Sequence, residues 1–422
     1  MRYHKIDPSL FILNRQRFTA HLPANAMAIF FAADVMPRNG DQTYPYRQNS
    51  HFFALTGIDE PDSILILYPD CRRPEYRELL FVPFTDEHTS VWDGSKINLA
   101  EAQEISGITQ TKWSHQYEDV LQPLMCMAGE IFLNSNEHDR FYTPVVSKDT
   151  RMAHELRRRF PLHTLRRAQP ILRELAMYKS PIELELIRQA CAITGEAFQR
   201  VLTTMRPGQL EYQVEAEISY TFISHGAAQA YLPIIAGGLN ACTLHYIKND
   251  QILQSGDLVL LDFGAEYAHY AADLTRTIPV NGRFTDRQKK VYTAVLNAFK
   301  LARSMMVPGQ TLAAIHKETE QYLGFELYEL GLVPTKKPAP AEINAFFMHG
   351  IGHHLGLDVH DLADRYQPLT EGMVLTCEPG LYLRAEKMGI RLENDIYISA
   401  EGPVDLMAGI PMEIEEIEDR MH

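Results

Sequence analysis

Asp257-Leu258-Val259-Leu260-Leu261-Asp262-Phe263-Gly264 is a continuous apolar run that ends in a carboxylate. Such a run reads as a buried strand. A second strand pattern, Asp273-Leu274-Thr275-Arg276-Thr277-Ile278-Pro279-Val280, begins eleven residues after Asp262. The stretch from Gly264 to Ala272 is long enough for a hairpin loop. Antiparallel pairing would bring Asp262 and Asp273 within reach of one cation. Buried carboxylates without partners are costly, and a metal ion is a physically sensible partner. The plainer reading makes Asp262 a strand-end residue and Asp273 part of a solvated turn, because Asp-x-Gly is common at turns.

Working outward, three more ligand candidates follow. His353 lies in His349-Gly350-Ile351-Gly352-His353-His354-Leu355-Gly356-Leu357-Asp358-Val359-His360, a dense histidine cluster among glycines that let backbone approach a ligand. It is not the His-Glu-x-x-His zinc motif, and there is no Cys-x-x-Cys pattern. Glu378 ends the apolar run Met373-Val374-Leu375-Thr376-Cys377, and Pro379-Gly380 stops that strand. Glu393, in Gly389-Ile390-Arg391-Leu392-Glu393-Asn394, alternates with Ile390 and Leu392, so Arg391 shares its face and is placed to pair with a carboxylate. Four carboxylates and one imidazole suit hard divalent cations bound in pairs. Paired cations generate hydroxide near neutral pH, so hydrolysis is the leading reading.

In this order, Asp262-x-Gly264, Asp273, His349-Gly-x-x-His353, Glu378-Pro-Gly380 and Arg391-x-Glu393, the chain resembles the pita-bread metallopeptidases. That superfamily includes methionine aminopeptidase, prolidase, aminopeptidase P and the metal-free creatinase. Aminopeptidase P is the best match, because Tyr44-Pro45-Tyr46-Arg47-Gln48-Asn49-Ser50, Thr56-Gly57, Glu60-Pro61 and Lys179-Ser180-Pro181 look like its signatures outside the ligand set. The resemblance implies two divalent ions, with manganese the first choice because the ligand set is harder than typical zinc sites. It implies that Asp262, Asp273 and Glu393 hold one ion, that Asp273 and Glu393 bridge to the second, and that His353 and Glu378 complete the second. It assigns His245 to the substrate amino-terminal side, His349 and His360 to the scissile amide and the intermediate, and Tyr382 to the pocket. Arg391 matches an arginine held behind the ligands, and Arg365 is the candidate counterpart of a family arginine near the substrate. Two departures are visible: His354 stands where the family often has an aromatic, and the segment from His353 to Glu393 looks shortened.

The implied reaction is release of the first residue from peptides with proline second, by attack of a hydroxide shared between the metals. Glu378 would take the hydroxide proton and pass it to the leaving nitrogen, which is tertiary in a bond to proline. Prolidase is the alternative, since it shares every ligand; Arg365 or Arg47 substitutions would separate the two. A catalytically inactive binding module is more remote, because such proteins usually lose ligands. Methionine aminopeptidase does not need so long an amino-terminal half, and a creatinase-like enzyme should have lost carboxylates.

Composition sets the remaining bounds. A chain of 422 residues exceeds what one core usually supports. We read an α/β amino-terminal domain over 1–174, serving oligomerisation and substrate gating, and an α+β catalytic domain with a curved antiparallel sheet over 175–422. Met27 to Phe31, Ile64 to Leu67 and Leu79 to Val82 read as strands of the first. Ser180-Pro181-Ile182-Glu183 is a capping box that opens a long amphipathic helix, which Arg206-Pro207-Gly208 stops. Thr285 to Gln288 caps another, and Lys336-Lys337-Pro338-Ala339-Pro340 reads as a surface loop. The formal charge of −14 discourages nucleic-acid and anionic-membrane partners. Five scattered cysteines read as reduced thiols, and the start of the chain lacks a signal-peptide core, which together predict a cytoplasmic protein. The resemblance implies a homodimer or homotetramer, with Trp92 the residue expected at a subunit contact.

Overall fold

The computed structural model describes residues 2–140 and 143–421. The chain divides into two compact units, Lys5–Leu175 and Ala176–His422, the latter joined by Met1–His4.

The first unit is built on a six-stranded mixed sheet in the order Thr111–Trp113, Glu78–Val82, Ile64–Leu67, Ala26–Phe31, Glu130–Leu133, Thr164–Arg167. The Ala26–Phe31 strand is buried along its whole length, as expected for Ala-Met-Ala-Ile-Phe-Phe with a paired neighbour on each side. It runs antiparallel to Ile64–Leu67 and parallel to Glu130–Leu133. Met27, Ile29, Phe31, Ile66, Phe81, Leu121, Leu124 and Ile131 fill one core.

The second unit opens with the helix Pro181–Thr204. Ser180 caps it: its hydroxyl accepts from the Glu183 amide, and the Glu183 carboxylate accepts from the Ser180 amide. Proline at the first helical position costs no hydrogen bond there. The buried face carries Leu184, Ile187, Cys191, Thr194, Phe198 and Val201. The apolar run read first is the central strand Leu258–Phe263 of a three-stranded antiparallel sheet, between Ile234–Gly237 and Leu274–Pro279. A second antiparallel sheet holds Val374–Cys377, Asn394–Ser399 and Gly402–Asp405, and Gly380–Leu383 pairs with Met388–Arg391. A bridge between Thr275 and Glu393 joins the first sheet to the segment between the others. The helix Asp286–Met305, opened by a Thr285–Gln288 capping box, packs on Val374–Cys377, Gly380–Leu383 and Met388–Arg391 and against the helix Leu312–Glu329. The loop through Lys336 ends earlier than the sequence suggested, because Pro340 begins the short helix Pro340–Asn344.

Two glycines fix the ligand segments. A Cβ at Gly264 would lie 1.7 Å from the Ala272 carbonyl, and one at Gly352 would lie 2.1 Å from that of Thr376. The hairpin between Asp262 and Asp273, and the approach of the His353 segment to the Glu378 strand, therefore exclude any side chain at these positions.

Candidate metal centre

The strand register explains how the carboxylates converge. Asp262 pairs with Thr275 across two strands, and Asp273 stands immediately before the second of them. The Tyr231 hydroxyl lies 2.7 Å from Asp262 Oδ1 and 2.5 Å from Asp273 Oδ1. Asp273, His353 and Glu393 form a group whose donor atoms all lie within 4.8 Å of one another, found among the described residues. His353 Nε2 is 3.4 Å from Asp273 Oδ2 and 3.9 Å from Glu378 Oε1. The five candidate ligands thus share one buried locus.

Hydrogen bonds orient each of them. His353 Nδ1 lies 3.1 Å from the His354 carbonyl. A carbonyl only accepts, so Nδ1 carries the hydrogen and Nε2 is turned toward the carboxylates. Thr275 Oγ1 donates to Glu393 Oε2 at 2.6 Å and accepts from Arg391 Nε at 3.1 Å. Arg391 Nη2 donates to Asp262 Oδ2. The pairing expected of Arg391 is therefore made to Asp262, while Glu393 is reached through Thr275. Arg391 Nη1 donates to the Tyr382 hydroxyl at 2.8 Å, which in turn sits 2.8 Å from His349 Nε2. His349 Nδ1 faces the Gly350 carbonyl at 2.9 Å, so it is the protonated nitrogen and Nε2 accepts from Tyr382. Behind Asp273, the Asp395 carboxylate accepts from the Asp273 amide at 3.1 Å and from Cys191 Sγ at 3.3 Å.

The electrostatics test whether these residues fit a cation. Burial raises the Asp262 carboxyl, opposed by Arg391 and reinforced by Asp273. Burial also pushes Glu378 up to about 7, and it raises Glu393 well above the carboxylate range together with the charges of Asp273, Glu378 and Asp262. Desolvation would lower His353, but its hydrogen bond to Asp273 and the nearby carboxylates outweigh it and raise it. A single hydroxyl proton on Tyr231 faces two carboxylate oxygens. Four crowded carboxylates against one guanidinium leave negative charge that only protons or cations can offset, and the all-oxygen-plus-imidazole set fits divalent ions.

The remaining candidates surround this locus unevenly. His349 is pushed down to about 3 by burial and by Arg391, with His316 and His245 adding to the effect, so it is neutral. His245 and His360 are exposed. The His360 ring nonetheless stands edge-on to His353, with centroids 4.3 Å apart. Arg365 is exposed in the loop after Asp361, with its guanidinium over the Tyr366 ring. His354, the departure noted above, is buried and lowered to about 3 by desolvation, so it is a neutral residue behind the ligand.

With this geometry in hand, comparison with known proteins is decisive. Residues 185–400 match metallopeptidase family M24, and residues 11–132 match the aminopeptidase P amino-terminal domain. The chain belongs to metallopeptidase family M24. It is similar to the Xaa-Pro aminopeptidases of Haemophilus influenzae, at 33% identity, and Escherichia coli, at 34%; each alignment covers 99% of this chain and 98% of the relative. It superposes on zinc-substituted Escherichia coli aminopeptidase P in complex with product, with a TM-score of 0.89 and 32% identity over 99% of both chains.

Within this M24 unit the sequence reading missed several contacts, among them those of Thr275, Tyr231 and Asp395. Thr275 had a signal, since period-two alternation puts it on the face of Asp273. Tyr231 had none: it reaches the aspartates through tertiary packing, as His316 reaches Phe347, whose ring stands against His349.

Proposed function

We propose that this chain is a dinuclear-metal Xaa-Pro aminopeptidase, releasing the amino-terminal residue from peptides whose second residue is proline. The observation that carries this reading is an end-to-end match to Xaa-Pro aminopeptidases in a chain that brings donor atoms of Asp273, His353 and Glu393 within 4.8 Å of one another, with Asp262 and Glu378 beside them. The dipeptidase alternative is not favoured, because the full-length relatives named above are aminopeptidases, and an inactive binding module would not be expected to retain every ligand.

Asp262, Asp273, His353, Glu378 and Glu393 would hold the ions. Bound there, divalent cations supply Lewis acidity and a water of low pKa. The chain's own residues do the rest. Glu378 accepts a proton and delivers it to the departing prolyl nitrogen. Neutral His349, whose Nδ1 lies 3.6 Å from Glu378 Oε2, lines the leaving side with its Nδ1–H held by Gly350. His360 serves the scissile carbonyl, and His245 the substrate amino terminus. Arg391 and Tyr382 hold Asp262 and His349 in register through one hydrogen-bonded chain. Manganese is the metal we assign, from the hardness of the donors. Five free cysteines support a reducing, cytoplasmic setting. No helix among the described residues is long and apolar enough to cross a membrane. Trp92 and Val91, 75% and 83% exposed, support self-association through the amino-terminal unit.

The test is turnover of Ala-Pro-Ala against Gly-Pro after chelation and reloading with manganese. Cleavage of the tripeptide at its first bond is the expected result. Activity on the dipeptide alone would move the assignment to prolidase, and inactivity on both with metal bound would overturn the proline-specific reading.

A further inference from the structure

Lys179 belongs to a sequence signature, yet it takes no part in the site described above. Its side chain is 2% exposed, and its ammonium lies 2.7 Å from Asp361 Oδ2, on a side chain 7% exposed. Lysine is almost never so buried unless paired. A buried ion pair contributes little net stability, because desolvation offsets the attraction, so its presence calls for another reason. Lys179 is rigidly mounted. Its ammonium also donates to the Ala176 carbonyl, its amide donates to the Gly372 carbonyl at 2.8 Å, and the next residue is the Ser180 helix cap.

Asp361 is equally constrained. Its Oδ1 accepts from the Leu362 amide at 3.0 Å, and its own amide donates to the His354 carbonyl at 2.9 Å, closing residues 354–361 into a loop. Gly356 makes room for the pair: a Cβ there would lie 2.1 Å from Asp361 Oδ2 and 2.8 Å from Lys179 Nζ. The Gly356 carbonyl accepts from the Ala271 amide at 2.8 Å, two residues before Asp273. The loop is thus fastened to the helix start on one side and to the metal-aspartate hairpin on the other. At its end, beside Asp361, stands His360, edge-on to His353.

We infer that Lys179 is a positioning residue: by holding Asp361 it sets where the His360 imidazole stands relative to His353 and the reacting carbonyl. The inference rests on the assignment of His360 to the scissile carbonyl made above. Misplacing a group near the chemistry by about 1 Å costs up to roughly 100-fold in rate, so K179M should lower kcat by roughly ten- to a hundredfold. KM and metal content should be unchanged, since Lys179 touches no ligand.

The experiment is a double-variant cycle on manganese-loaded protein, comparing K179M, H360A and K179M/H360A on Ala-Pro-Ala. The histidine ring signals are followed by NMR on the same variants loaded with diamagnetic zinc, because manganese would broaden a ring beside the ions beyond detection, and metal binding is followed by calorimetry. If Lys179 acts through His360, K179M shifts the His360 signal, identified by its loss in H360A, and the double variant is no slower than H360A. Multiplying rate losses, or an unmoved His360 signal, would overturn the inference. Full activity of H360A would instead sink the role given to His360, while the NMR shift still decides whether Lys179 positions the ring. If K179M does not fold, K179M/D361N removes both charges together and leaves no orphan; the same His360 shift and kcat loss in that variant support the inference, and their absence overturns it.

Discussion

Replacing Glu378 by glutamine should change how the stability of the chelated protein depends on pH. Burial, reinforced by Asp273 and Asp262 and opposed by His353 and Arg391, lifts this carboxyl from 4.5 to about 7. In the unfolded chain it ionises near 4.5. Between those values the native state binds a proton that the unfolded state does not. The metal-free protein therefore loses stability as pH rises from about 4.5 to about 7, and the loss is complete above 7. At roughly 1.4 kcal/mol per pH unit of displacement, the interval corresponds to on the order of 3 kcal/mol. For a chain with a catalytic unit of this size, that amounts to about 6–12 °C in Tm. Divalent ions take the place of the proton, so the stability gap between loaded and chelated protein should widen over the same interval. The assay is thermal unfolding followed by circular dichroism from pH 5 to 8, with chelator or with manganese, for the unaltered chain and E378Q. With chelator, the unaltered chain should fall relative to E378Q as pH rises, then level off. Parallel curves for the two proteins with chelator would refute the buried-carboxyl argument, and equal stabilisation of both by manganese would refute the ligand role of Glu378.

Three further outcomes are expected. Tyr231→Phe removes the one hydroxyl shared by Asp262 and Asp273; calorimetry should show metal affinity reduced roughly 10- to 100-fold, with the fold intact by circular dichroism. Gly352→Ala places a methyl against the Thr376 carbonyl; it should cost about 1–3 kcal/mol in a denaturant titration and weaken metal binding as well, because His353 is the next residue. Trp92→Ala should change the melting temperature little, since exposed substitutions typically stay within about 0.5 kcal/mol. If Trp92 lies at a subunit contact, the same change weakens peptide turnover and oligomer mass; a large loss of stability with unaltered turnover per folded molecule would contradict that placement.

The strands that carry the ligands were legible because their signals are local. Leu258–Phe263 is an unbroken apolar run with a carboxylate near its end, and Val374–Cys377 is another, stopped by Pro379. Serine or threonine followed three residues later by glutamate or glutamine marked both capped helices, at Ser180 and Thr285. These patterns determine backbone hydrogen bonding within a few residues and decide which face of an element turns inward. The same alternation placed Glu393 and Arg391 on one face.

The partners of those faces were not legible. Arg391 reaches Asp262 across 129 residues, and Lys179 reaches Asp361 across 182. Nothing near Tyr231 signals that its hydroxyl would lie between two aspartates, and nothing near His349 signals that the Tyr382 hydroxyl would meet its Nε2. By itself, the sequence determined the elements, their inward faces and the chemistry of the donors, because propensity, capping and periodicity act over one or two turns of chain. Only the tertiary structure decided which donors meet, how each imidazole is oriented and how far burial shifts each carboxyl, because those depend on packing and on charges brought close by distant segments.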